Sequence, residues 1–335
     1  MTTSRPLSWW LASAVAALCC ACGVTQPAHS VSRPPASTVA AAPAAPADPD
    51  VPLPNKPDAL KFAVIGDNGN GDAAEYETAR QMTAWHAKFD FSFVIMDGDN
   101  IYGSERPQDF RDKFESPYKT LLDAGVKFYA SLGNHDSREQ RYYKLYNMDG
   151  QLYYTFKAPK QDVRFFAFES TYMDPDQLKW IENALKSSKE KWKICFFHHP
   201  LYSSARTHGS QLKLRAVLEP LFIEYNVSVV FNGHDHVYER IKPQNGIQYF
   251  VEGASGQLRA GDLRQGSPLT ARGFDTDRSF MLVEINGDTM NFVTISRTGT
   301  IVDSGVVPRR TLKPVPGSRS NGPAAPHEGT GAPRD

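Results

Sequence analysis

The apolar residues of this chain come in short, dense runs, and most of the runs stop at a glycine or a histidine set among acids and amides. Leu60–Ile65 stops at Gly66-Asp67-Asn68-Gly69, and Phe91–Met96 stops at Asp97-Gly98-Asp99-Asn100-Ile101-Tyr102. Val126–Leu132 stops at Gly133-Asn134-His135-Asp136, Lys193–Phe197 at His198-His199-Pro200, and Val227–Phe231 just before Gly233-His234-Asp235-His236. Short apolar runs closed in this way read as buried strands. The stretches between them read as helices over Ala73–Lys88, with Asp72 as N-cap, over Gln108–Ala124, interrupted by Pro117, over Pro175–Ser187 and over Leu212–Tyr225. Val163–Glu169 and Ile247–Glu252 add strands, and Phe280–Ile285 with Thr289–Ser296 form a hairpin around Asn286-Gly287-Asp288. The result is a β-α-β rhythm, which predicts parallel strand pairs and an α/β fold. No internal repeat is visible.

Five strands therefore end in polar clusters, at Asp67, Asp99, Asn134, His198 and the His234/His236 pair. If those strands lie side by side in parallel, all five tips meet along one edge, where open α/β sheets bind their ligands. Taken alone, the stretch through Asp99 and Tyr102 reads as a core strand with a turn acid and a packed tyrosine. The recurrence of polar tips argues for a shared site. Asp99 has two hard oxygens and can hold two ions at once. Tyr102 is a poor ligand unless a strongly Lewis-acidic ion ionises it, since a free phenol has a pKa of about 10. Packing two acids, a phenol, an amide and three imidazoles together without a cation would strand buried polar groups. The set is too large for one tetrahedral zinc. It suits two ions roughly 3.5–4 Å apart, a clamp for in-line displacement at phosphorus.

These motifs resemble the calcineurin-like metallophosphoesterase superfamily and, within it, the purple acid phosphatases, including the tartrate-resistant form. The ordered set spans residues 66 to 236, with continuing resemblance to about Gly256. The wider superfamily has Asp-x-His in the first motif; this chain has Gly69 there and carries Tyr102 instead, the exchange that marks the purple branch. The resemblance implies a four-layer α/β/β/α sandwich with two mixed sheets. It implies Fe(III) on Asp67, Asp99, Tyr102 and His236, and Fe, Zn or Mn on Asp99, Asn134, His198 and His234. It further implies hydrolysis of phosphomonoesters by a metal-bound hydroxide, without a covalent enzyme intermediate. His135 matches a family position near the substrate phosphate and leaving group, with a hydrogen bond to Asp136 or to backbone. His208 resembles the loop histidine that binds phosphate or protonates the leaving group, and is read with His135 as a candidate catalytic residue.

Composition changes the picture mainly at the ends. The chain has 335 residues, with 37 Lys and Arg against 37 Asp and Glu. A neutral chain without a long basic run argues against nucleic acid as the main partner. Arg5 precedes an apolar stretch from Leu7 to Ala21, too short to span a bilayer comfortably and typical of a signal peptide. Cys22 closes it as in a bacterial lipobox, although Cys19 sits where that box has an aliphatic residue; ordinary cleavage nearby is the other reading. Either one predicts export, as a periplasmic or surface lipoprotein attached through a lipidated Cys22 or as a secreted protein. The organisation read from composition is a signal segment over 1–22 and a disordered Pro/Ala-rich linker over 23–58. A catalytic domain over 59–307 and a disordered tail over 308–335 follow. Cys195 is the one cysteine of the body, so no internal disulfide is expected there.

The expected partner is a small phosphoester, and the expected state is a monomer. His199 reads as structural, and Tyr142, Tyr143, Tyr146, Tyr153 and Tyr154 read as packing. Gly253-Ala254-Ser255-Gly256 reads as a flexible loop rimming the site. Specificity is assigned to the loops Gly103–Pro107, Ser203–Ser210 and Gly256–Arg272. The rival readings are a phosphodiesterase on the same scaffold, a catalytically silent surface-tethered binding module, and an iron-handling or redox protein.

Overall fold

The structure, a computed structural model, describes residues 52–311. The signal segment with Cys22, the linker up to residue 51 and the tail beyond Thr311 lie outside the described residues. None of the described helices is long and apolar enough to cross a membrane.

Strands β1 (Leu60–Ile65), β2 (Phe93–Met96) and β3 (Lys127–Ala130) lie parallel in one sheet. The chain then builds a second sheet from β4 (Tyr154–Lys157), β5 (Val163–Ala167), β6 (Trp192–Phe196), β7 (Val229–Asn232), β8 (Tyr238–Ile241), β9 (Gln248–Glu252) and β10 (Thr270–Phe274). It returns to the first sheet with β11 (Ser279–Asn286), β12 (Thr289–Ser296) and β13 (Ile301–Pro308). The sheet orders are β13-β12-β11-β1-β2-β3 and β10-β8-β9-β7-β6-β5-β4. In the second, β5, β6, β7 and β9 are parallel, and β4 and β8 pair antiparallel at the flanks. Both sheets are thus mixed.

Residue alternation explains the layering. Phe62 and Val64 of β1, Phe93 and Ile95 of β2, and Phe165 and Ala167 of β5 point into the core between the sheets. Their neighbours Ala63, Ile65, Val94 and Met96 face the other way, toward the helix Ala73–Phe89. This is the period of two that a strand imposes. In the middle layer the Phe62 ring stacks on Phe93 at 5.3 Å and meets Phe165 edge-on at 5.2 Å. Burying each such ring contributes about 1.5–3 kcal/mol.

Helix Ala73–Phe89 starts at Asp72, whose side chain accepts the Glu75 amide at 2.9 Å. It buries Ala79, Met82, Trp85 and Phe89 against the first sheet. On the far side, helix Pro175–Ser187 contributes Ile181 and Leu185, and helix Leu212–Glu224 contributes Leu218 and Phe222, to the outer core of the second sheet. The four layers are helix, sheet, sheet, helix.

The helix expected over 108–124 is split. It runs Pro107–Phe110, widens into a π turn over Arg111–Glu115, and restarts at Lys119–Asp123. Pro117, with no amide hydrogen and a fixed φ, sits in the break. Ahead of β1, Leu53 is buried, and the amides of Asn55 and Lys56 donate to Glu284 at 2.6 and 3.0 Å.

Candidate metal centre

The polar tips do not share one sheet edge. Asp67, Asp99 and Asn134 follow β1, β2 and β3 of the first sheet, whereas His198 and the His234/His236 pair follow β6 and β7 of the second. They meet because both sheets end at the same side of the shared core. One cross-sheet bond fixes the junction: Nδ1 of His198 donates to the backbone carbonyl of Asp97 at 2.9 Å. A carbonyl only accepts, so Nδ1 carries the hydrogen and Nε2 is aimed into the site.

The turns that carry the ligands are tight. Asp67 and Asp99 have φ of 52° and His234 has φ of 70°, the left-handed region that non-glycine residues seldom occupy. Such conformations persist where surrounding structure enforces them, and they gather at functional sites. The glycines of the motifs make the enforcement possible: a Cβ on Gly133 would run into Oδ1 of Asp99, and one on Gly233 into Oδ2 of Asp67.

Around these turns the donor atoms converge. The Tyr102 hydroxyl lies 2.9 Å from Oδ1 of Asp67, 3.0 Å from Oδ2 of Asp99 and 3.2 Å from Nε2 of His236. Nε2 of His236 is also 3.3 Å from Oδ1 of Asp67. On the other side of Asp99, Oδ1 lies 3.4 Å from Nε2 of His198. That nitrogen is 3.1 Å from Oδ1 of Asn134 and 3.2 Å from Nδ1 of His234. All seven sequence-predicted ligands are therefore in one cluster, in the two groups expected, with Asp99 between them.

Asp67, Asp99 and His198 are buried, and Tyr102 is half-buried, whereas Asn134, His135 and His208 are exposed. The cluster thus has a closed floor and one open side. Its chemistry fits a cation. One phenolic proton cannot serve two carboxylate oxygens at hydrogen-bond distance. Asp67, Asp99 and His236 alone bring three ligand atoms to within 4.8 Å of one another.

Titration of the cation-free cluster shows which protons a metal would replace. Burial, then the charges of Asp67 and Asp99, raise the Tyr102 phenol well above its ordinary value. Burial favours a neutral His198, yet Asp99 and Asp67 push that ring up to about 10. Burial alone would raise Asp99, but the neighbouring His198 holds it below the usual carboxylate range. Burial, then the charge of His198, forces His234 well down. Protons on Tyr102 and His198 stand where positive charge is needed.

The other candidates fall as follows. The His135 ring lies against Tyr102, centroids 5.0 Å apart, and its backbone amide donates to Oδ1 of Asp99 at 2.9 Å. Asp136 bonds other groups, accepting the amides of Gly133, Asn100 and Ile101 at 2.8, 2.9 and 3.1 Å. It ties the Asp99 turn to the Asn134 turn. His208 stacks 4.2 Å from the His234 ring; burial, then the charge of Arg259, lower its pKa. Its loop is held by Asp235, which accepts the Gly209 amide at 3.2 Å. His199 bonds Oγ of Ser170 through Nδ1 at 2.9 Å and packs 4.3 Å from the His234 ring.

The segment Gly253–Gly256 is not a loose rim. It is buried, with the Ser255 amide bonded to the Gly66 carbonyl at 3.1 Å, and it braces the Asp67 turn from behind. Tyr143 and Tyr146 pack with Phe110 and Phe114, and Tyr154 bonds the Ala130 carbonyl at 2.8 Å, whereas Tyr142, expected to pack, is exposed with the Arg141 guanidinium over its ring. Cys195 is buried and unpaired. A cleft of about 830 Å³ between Arg164, Trp180 and Glu190 is lined by none of the donors. Donor chemistry, rather than cavity size, locates the site.

Two mixed sheets whose tips gather carboxylates, a phenol, an amide and imidazoles define a metallophosphoesterase, a hydrolase. Comparison with known proteins agrees. The calcineurin-like phosphoesterase family matches residues 60–238. Purple acid phosphatase 3 of Arabidopsis thaliana is 30% identical over 271 residues, covering 70% of this chain and 74% of that one. Human tartrate-resistant acid phosphatase type 5 is 26% identical over 303 residues, covering 75% and 92%. A purple acid phosphatase from yellow lupin seeds superimposes with a TM-score of 0.63 at 19% identity, over 77% of this chain and 55% of that one. The chain belongs to the calcineurin-like phosphoesterase family, in its purple acid phosphatase branch, and is a metal-dependent phosphatase.

Proposed function

We propose that the protein hydrolyses small phosphomonoesters with two metal ions. One would be held by Asp67, Asp99, Tyr102 and His236, the other by Asp99, Asn134, His198 and His234. The observation that carries this reading is the placement of Asp99. Its Oδ2 faces the Tyr102 phenol at 3.0 Å, while its Oδ1 faces the imidazole of His198 at 3.4 Å. One carboxylate thus serves two donor groups of different character. The phenol with two carboxylates suits a hard trivalent ion such as Fe(III), and two imidazoles with an amide suit a borderline divalent ion such as Fe, Zn or Mn. When bound, such a pair supplies an activated water and stabilises the leaving oxygen.

The chain's own residues do the rest. Asp97 fixes the His198 ring through its carbonyl, and Asp136 fixes the turn that carries Asp99. Asn134, His135 and His208, on the open side, face an incoming ester. His208 would give a proton to a departing alkoxide; its ring contact with His234 and its exposure support that reading.

Replacing Asp99 tests this reading. Asp99→Asn keeps the shape and removes the shared charge. It is expected to lose at least one ion per chain and turnover with it, by more than the ~10–100-fold in metal affinity that loss of a group supporting a ligand costs. Full metal content with unchanged turnover in the variant would refute the assignment.

A further inference from the structure

The segment after β9 runs along the ligand turns on a series of backbone bonds. The Ser255 amide donates to Gly66 at 3.1 Å, the Gln257 amide to Asp67 at 2.9 Å, and the Arg259 amide to the carbonyl of His236 at 3.0 Å. The last of these sets Arg259 beside a predicted ligand. Yet Nη1 of Arg259 is buried and has no hydrogen-bond partner.

Other polar side chains of these loops have partners of their own. Arg206 donates to the Gly261 carbonyl at 2.9 Å, and Arg278 donates to the Gly256 carbonyl at 3.0 Å. Asp235 takes the Gly209 amide at 3.2 Å, and Asp262 takes the Thr207 hydroxyl at 2.8 Å. A buried guanidinium nitrogen without an acceptor is costly, and a planar fork of N–H groups matches a phosphoryl group.

We propose that Arg259 is a substrate-binding residue that donates to the anionic oxygens of the phosphoryl group, favouring the dianion of a monoester over the monoanion of a diester. The assignment rests on the phosphatase reading, and it concerns a residue outside the metal ligands. Arg259 adds binding energy to the ester without supplying a proton to it.

The test is the affinity of the metal-loaded protein for inorganic phosphate, measured by calorimetry, beside the kinetics of a matched monoester and diester. Arg259→Gln is expected to weaken phosphate binding by ~10–100-fold, the loss of a charge-assisted hydrogen bond. KM for the monoester should rise in step, KM for the diester should rise less, and kcat and metal content should hold. Arg259→Lys should recover part of the affinity. Arg259→Met, which keeps the aliphatic stem, gives the same readout if the glutamine variant does not fold. Unchanged phosphate affinity in a metal-replete Arg259→Gln or Arg259→Met protein would overturn the proposal. A wild type that binds phosphate through Arg259 but turns over no phosphoester would uphold the proposal while the phosphatase reading fell.

Discussion

The amide of Tyr102 donates to the carbonyl of Gly69 at 2.9 Å, and this bond seats the phenol over Asp67 and Asp99. Residue 69 could not be a histidine in this backbone, because a Cβ there would run into the carbonyl of Asn100. The glycine in the first motif and the tyrosine after the second are therefore one structural exchange. It brings a phenol to a position where a ferric ion would ionise it, and the electron-rich ring would then transfer charge to the metal. Protein prepared with iron is expected to be violet, and Tyr102→Phe to lose the visible band while keeping its circular dichroism and melting temperature. An active, colourless wild type with zinc or manganese in both sites would remove iron from the account.

His208 stacks on His234 at 4.2 Å and is exposed to the open side. As a general acid it matters only where the leaving group needs a proton. His208→Ala should lower kcat by ~100-fold or more for alkyl phosphates, within the range for loss of general acid catalysis, and far less for activated aryl phosphates. Equal losses on both substrates would assign His208 to phosphate binding or to structure.

A pH dependence follows from the acids behind the centre. Burial, opposed by the Ser279 hydroxyl bond, pushes Glu252 up to about 8 from 4.5. The folded protein then holds a proton that the unfolded chain releases, so this contribution is present below about pH 4.5 and lost as pH rises through about 8. His198, raised from 6.5 to about 10, acts in the same sense between those values. Metal-free protein should melt at progressively lower temperature as pH rises from about 6.5 to about 10; below about 6.5 the depressed His234 acts in the opposite sense. Each kcal/mol lost lowers the melting point by about 2–4 °C in a domain of this size. Glu252→Gln should flatten the fall up to about pH 8 and leave the part above it, where His198 titrates. A melting temperature that climbs with pH above about 6.5, or a glutamine variant that follows wild type throughout, would contradict the assignment of these protons.

Much of this was legible in the chain itself. β1, the helix after it and helix Pro175–Ser187 appear at or near the expected bounds, because apolar runs and caps are local signals. Four strands were not foreseen, and each lacks such a run. Thr270–Phe274 is half-exposed at a sheet edge, and Ile301–Pro308 is interrupted by Ser304 and Gly305. Tyr238–Ile241 holds the charged pair Glu239-Arg240 at its centre, and Tyr154–Lys157 is only partly buried. The division of the tips between two sheets was also hidden, since an apolar run does not say which neighbour it pairs with. The seven donors could be read because each closes a run. Asp136 and Arg259 act through bonds to distant backbone, and nothing in their immediate sequence marks that.

The central claim is that two ions, joined by Asp99, perform the hydrolysis. Its most direct measurement is phosphomonoesterase turnover of metal-stripped protein as bound metal is restored and counted per chain. Turnover should be absent without metal and reach its maximum only at two ions per chain. Full turnover at one ion or none, or a protein that stays inactive with two bound, would contradict it.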